Sequence, residues 1–150
     1  MDVNLQSTTI AHQLEAQGTV AVTINGMSMY PMLYNRRDVV VLEKYRGKAS
    51  KYDVLLYKNS SGKLVLHRVI KNQKRGECFV IRGDNCNAKE YIPESSVLGV
   101  LTEFTRKNKD VGSSSVFYKV YSRVIVFINP LVCFKIFVKN GLYSLKKKDI

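Results

Sequence analysis

The stretch Val54–Ile70, VLLYKNSSGKLVLHRVI, decides the fold class. Its two apolar runs, Val54–Tyr57 and Leu64–Ile70, are rich in Val, Leu and Ile, which pack well on a pleated surface. Between them lies Asn59-Ser60-Ser61-Gly62, residues that accept tight-turn backbone conformations. Strand, turn and strand make an antiparallel hairpin. In the second run, alternation sets His67 beside Val65 and Val69 on one face. Arg68 lies on the other face with Leu66 and Ile70.

The same pattern extends outward. Thr19–Ile24 alternates, with Val20, Val22 and Ile24 on one face. Asp38–Leu42, Cys78–Arg82 and Val97–Phe104 are further strand-like runs, and Asn72–Gly76 is a second turn. Six short strands at close spacing predict a small, mainly β, mostly antiparallel domain. Ahead of it, Thr8 or Thr9 caps a short helix with Ile10 and Leu14 one turn apart and Gly18 as its stop. Lys107–Ser115, KNKDVGSSS, is polar and reads as a linker. Val116–Lys148 reads as one or two helices broken near Pro130. The expected division is therefore a β domain with its N-terminal helix over 1–106, a linker over 107–115 and a basic, apolar helical tail over 116–150.

The 150 residues carry a net charge of +12, which first suggests an anionic partner. The charge is uneven. Residues 1–105 hold 14 basic and 10 acidic side chains, whereas residues 106–150 hold 10 basic and 2 acidic. The β domain is thus nearly neutral and the tail strongly basic. No helix-turn-helix fits ahead of the first strand, and no RNA-binding box interleaves aromatics with bases, so no nucleic-acid partner is expected. The three cysteines, Cys78, Cys86 and Cys133, have no C-x-x-C spacing, and His12 and His67 are the only histidines. Neither a disulfide framework nor a metal centre is expected, and no cofactor. The first 27 residues show neither a basic n-region nor an apolar h-region, so a cytoplasmic setting with reduced thiols is expected. Val124–Val138 is the longest apolar stretch. Pro130 breaks it and Lys135 interrupts it, and it falls short of the roughly 20 residues that span a bilayer. Flanked by Lys119, Arg123, Lys139 and Lys146–Lys148, it suits either a cap over one sheet face or contact with an anionic membrane surface.

Three segments carry candidate chemistry. In Gly26–Leu33, GMSMYPML, Ser28 follows a glycine turn and precedes Pro31. A serine in such a turn can present its hydroxyl beside its own backbone N–H, a nucleophile next to an oxyanion donor. His67 on an apolar face is either a core residue or a partly desolvated base with a pKa near neutrality. Asp84, in Arg82-Gly83-Asp84-Asn85, is either an Asx-turn residue or a carboxylate that supports an imidazole.

Taken in order, G-x-S-M-x-P-x-L, D-V-x-x-Y, L-x-H-R-V and R-G-D-N, followed by a valine-rich strand holding Leu98-Gly99, resemble the catalytic domain of type I signal peptidases. The likeness covers roughly residues 19–104. It is greatest to the branch of the endoplasmic reticulum, archaea and sporulating bacteria, in which histidine replaces the usual catalytic lysine. Self-cleaving SOS repressors share that fold but use a Ser–Lys pair. The resemblance implies a serine endopeptidase that removes a leader or signal segment from a peptide or protein. Ser28 is then the nucleophile and the source of an oxyanion N–H, and His67 is the general base. Asp84 either orients His67 or holds a supporting turn. Met29 packs below the nucleophile, Pro31 fixes its turn, Asp53 is structural, and Arg82 either pairs with a carboxylate or is structural, with the structural reading preferred. Tyr52 stands where the family usually has glycine. The alternative is a catalytically silent binding or regulatory relative with the same fold.

Overall fold

The computed structural model describes residues 3–72 and 78–129. The chain folds as a mainly antiparallel β domain with a helix at each end. Helix α1 (Val3–Gln17) is followed by strands β1 (Thr19–Thr23), β2 (Val39–Lys44), β3 (Val54–Lys58), β4 (Leu64–Asn72) and β5 (Cys78–Arg82). Then come β6 (Glu90–Pro93), β7 (Val97–Arg106) and β8 (Lys109–Gly112). Helix α2 runs over residues 116–129. Among the described residues the strands form one sheet of eight, in the order β1-β2-β7-β3-β4-β5-β6, with β8 added beside β7.

The hairpin that sets the fold class is present. Val54 faces Arg68 and Leu56 faces Leu66 across β3 and β4, and Gly62 closes the turn with φ +77° and an N–H donated to the Asn59 carbonyl. The alternation in β4 also holds. Val65 and Val69 belong to one apolar cluster with Leu55, Tyr57, Phe79 and Ile81. Leu64 and Leu66 join another, with Met29, Met32, Leu33, Leu42, Leu101 and Phe104. Two cores, one on each side of the β3–β4 ladder, explain why these strands read as nearly continuous apolar runs.

Helix α1 starts at Val3, so Thr8 and Thr9 lie inside it and do not cap it. Its end falls where expected. Gly18, at φ +77°, donates to the Leu14 carbonyl, and Leu14 is buried in the first core. The segment read as a linker, 107–115, contains β8 instead. Lys107 and Asn108 have φ +48° and +60°, the paired left-handed geometry of a two-residue hairpin turn, and Thr105 faces Asp110 beyond them. Its polar sequence resembled a linker because β8 is short and has no buried residue. β6 was also unforeseen, since four residues ending in proline are too few to show an alternation. The Gly76 end of the second predicted turn, the break at Pro130 and the tail beyond it lie outside the described residues.

Helix α2 lies on the sheet. Tyr118, Ser122, Ile125 and Asn129 are buried at helical spacing. Val116, Phe117, Val120, Val124 and Phe127 face outward on the same helix. No helix among the described residues is long and apolar enough to cross a membrane.

Candidate active site

Ser28 sits in the loop between β1 and β2. The loop is closed at its base by Ile24 N–H to the Asp38 carbonyl and Arg36 N–H to the Ile24 carbonyl. Gly26, at φ +124°, donates to the Asn35 side-chain oxygen. Tyr30 N–H closes the serine turn onto the Met27 carbonyl at 3.1 Å, and the Tyr30–Pro31 bond is cis. Met29, Met32 and Leu33 plug the loop into the first core, which leaves Ser28 half-buried at its tip. Among the described residues the Ser28 N–H donates to no protein acceptor.

The Gly83–Cys86 turn docks directly onto this tip. Asn85 N–H donates to the Ser28 carbonyl at 2.8 Å, and the Asn85 amide donates to the Met27 carbonyl at 3.2 Å. A methyl group on Gly83 would lie 2.6 Å from the Ser28 carbonyl oxygen, 2.7 Å from Cys86 Sγ and 3.0 Å from His67 Nε2. The Ser28 loop and the imidazole edge therefore converge on one point, and only glycine leaves room for both. Ser28 Oγ makes no hydrogen bond to His67 in this structure. Burial pushes the Cys86 thiol pKa up, so the neighbouring sulfur is a neutral thiol rather than a competing thiolate.

The carboxylate on the imidazole is Glu90. Its Oε1 stands 3.0 Å from His67 Nδ1, and its Oε2 accepts the Tyr57 hydroxyl at 2.7 Å. Burial raises the Tyr57 pKa, so that hydroxyl stays a donor. His67 is 6% exposed, and burial lowers its pKa against the opposing pull of Glu90. The imidazole is thus neutral near neutral pH, with Nδ1 toward the carboxylate and Nε2 toward the serine loop. β6 brings Glu90 here, and its absence from the predicted strands is why sequence reasoning passed over the residue.

Asp84 does something else. Its two oxygens accept Arg68 Nε and Nη2, both at 2.8 Å, in a bidentate pair. Arg68 is fully buried. It also donates from Nη1 to the Tyr52 carbonyl at 2.9 Å and to Ser122 Oγ at 2.7 Å. Tyr121 donates its hydroxyl to Asp84 at 3.1 Å, and the Asn129 amide donates to the Asp84 carbonyl at 3.3 Å. The pair is a rivet through β4, the Gly83–Cys86 turn and α2. Arg68, next to His67, thus pairs with Asp84, and Arg82 makes no ion pair or hydrogen bond with a carboxylate among the described residues. The Asp53 side chain accepts Ser50 N–H at 2.8 Å and so holds the turn ahead of β3. Tyr52, where the resembled family usually has glycine, holds φ +86°.

Beside Ser28 lies a cleft of about 280 Å³, walled by Thr23–Gly26 on one side and Leu64–Leu66 on the other. β1 pairs only with β2, and β4 pairs with β5 only from Arg68 onward. The Leu64–Leu66 wall is therefore a strand edge open on that side among the described residues. The Thr23–Gly26 wall is the end of β1 and the loop after it, where Ile24 already bonds Asp38 and Arg36 and Gly26 bonds Asn35. The side chains lining both are uncharged. No group of side chains that could hold a metal occurs among the described residues. Comparison with known protein families and with curated proteins gives no match for this chain.

Proposed function

We propose that this chain is a serine endopeptidase of the signal-peptidase-like type, which cleaves a leader or signal segment from a peptide or protein. The observation that carries it is the convergence at Gly83 of the Ser28 loop and the Nε2 edge of a histidine whose Nδ1 is held by a carboxylate. That is the order nucleophile, base and orienting acid. Ser28 Oγ attacks the scissile carbonyl carbon and its proton passes to His67 Nε2. Glu90 stabilises the resulting imidazolium, and the Ser28 N–H faces the developing oxyanion. Collapse breaks the C–N bond, with the His67 proton leaving on the amine. Water, activated by the same imidazole, then releases the acyl group. The cleft accepts an extended chain, because the unpaired Leu64–Leu66 edge of β4 offers backbone hydrogen bonds and uncharged walls suit small apolar side chains.

The missing Oγ–imidazole hydrogen bond favours a second reading, a silent relative that only binds such peptides. One experiment separates the two. The full chain is incubated with candidate leader peptides and the products are read by mass spectrometry. Wild type cuts, while Ser28→Ala and His67→Ala do not. Binding without cleavage by wild type selects the silent relative, and cleavage that survives both substitutions overturns the dyad.

We further propose that the enzyme works inside the cell at an anionic membrane surface, reached through the basic tail over 116–150. The support is the outward apolar stripe of α2 together with the two bases it carries, Lys119 and Arg123.

A further inference from the structure

Arg82 is a buried residue to whose side chain the described residues give no hydrogen-bond or ion-pair partner. It is 8% exposed, yet no carboxylate, carbonyl or hydroxyl among the described residues accepts from it. Its partner across the β4–β5 ladder is Arg68, so both guanidiniums leave the sheet on the face covered by α2. Arg68 is neutralised by Asp84 and Arg82 is not. Its guanidinium nitrogens are not sealed from solvent, since no buried side-chain nitrogen or oxygen among the described residues lacks a partner, so the charge stays open to an entering anion.

The surroundings fit an anion. Arg82 lines a groove of about 410 Å³ whose other polar residues are Lys71, Lys89 and Tyr91, with no acidic side chain in the wall. Both lysines are exposed and free of ion pairs among the described residues. A guanidinium at the base with two ammonium groups at the rim is the arrangement that binds a phosphate.

Ile70, Val80 and, from α2, Val126 complete the described wall. Phe127, next to Val126, is 85% exposed, and Val116, Val120 and Val124 continue the apolar stripe at helical spacing. A free anion has no use for that stripe, whereas a lipid has both a phosphate and an apolar part. We infer that the Arg82 groove binds the phosphate of an anionic lipid headgroup, while Phe127 and Val124 enter the adjoining acyl boundary. This rests on the membrane-surface reading above and is independent of the peptidase reading.

The test is co-sedimentation of the full chain with phosphatidylcholine vesicles, with and without equimolar phosphatidylglycerol. Wild type binds the mixed vesicles and not phosphatidylcholine alone. Arg82→Gln weakens that binding about tenfold, the loss of charge-assisted hydrogen bonds to one phosphate. Lys71→Gln and Lys89→Gln, at exposed positions that do not affect folding, weaken it less, and Phe127→Ser weakens it as well. Arg82→Gln keeps the melting temperature, because the Arg82 side chain makes no ion pair or hydrogen bond among the described residues. Equal binding by wild type and Arg82→Gln overturns the groove and leaves the membrane surface standing. Failure of wild type to bind either vesicle overturns both. A melting-temperature rise with inorganic phosphate that Arg82→Gln abolishes, without vesicle binding, assigns the groove to a free anion and overturns the lipid. Arg82-dependent binding of an acidic peptide without vesicle binding likewise overturns it.

Discussion

Glu90 Oε1 lies 3.0 Å from His67 Nδ1, whereas Asp84, six positions earlier, gives its carboxylate to Arg68. Two acids that look interchangeable in sequence thus face different partners, one an imidazole and the other a buried guanidinium. Glu90→Gln is expected to fold and to lose about 10²–10⁴ in kcat, the range for groups that set the tautomer and stabilise the cation of a catalytic histidine. Asp84→Asn leaves Arg68 buried without a counter-charge and costs about 3–5 kcal/mol of stability. Thermal unfolding and peptide-cleavage kinetics on both variants check this. A Glu90→Gln enzyme with full kcat removes Glu90 from the mechanism.

The pH dependence follows from burial of His67, which lowers its folded-state pKa below the ordinary value of about 6.5. The base is active when neutral, so the acidic limb of kcat/KM falls below that value. Stability follows the same sign. The unfolded chain takes up the proton first, so this contribution is complete above the unfolded pKa and is lost as pH falls through the folded one. Glu90→Gln removes a group that favours the imidazolium and shifts the limb further toward acid. A limb above the ordinary imidazole range contradicts this assignment.

Gly83→Ala tests the convergence point. Its methyl group would meet a backbone oxygen at 2.6 Å and the imidazole at 3.0 Å. The carbonyl cannot swing aside, because it accepts Asn85 N–H. The expected result is loss of cleavage by more than about tenfold, with a stability loss of about 1–3 kcal/mol from overpacking. Cleavage at the wild-type rate means that Ser28 and His67 do not meet there.

Tyr52 holds φ +86°. Tyrosine is strained there and glycine is not, by about 1–2 kcal/mol. The contact of Arg68 Nη1 is to the Tyr52 carbonyl, which glycine keeps. Tyr52→Gly is therefore expected to raise the melting temperature with kcat unchanged. The lost stacking of Lys51 and Arg123 on the ring is the opposing effect, and a fall in melting temperature means that it wins.

Local chemistry by itself determined six of the eight strands, the two faces of β4 and the loop that carries Ser28. Alternation in β4 put His67 and Arg68 back to back, because side chains on a strand alternate whatever surrounds them. Gly18 and Gly62 marked a helix end and a turn for equally local reasons. The same logic misread β8 as a linker and missed β6, since strands of four residues are specified by their neighbours across the sheet rather than by their own pattern. Only the tertiary structure decided which acid meets which base. Glu90 reaches His67 because β6 pairs with β5, and Asp84 reaches Arg68 because the Gly83–Cys86 turn folds under α2. Ion-pair partners are set by distance through space across strands far apart in the chain, and spacing along the chain carries no measure of that distance.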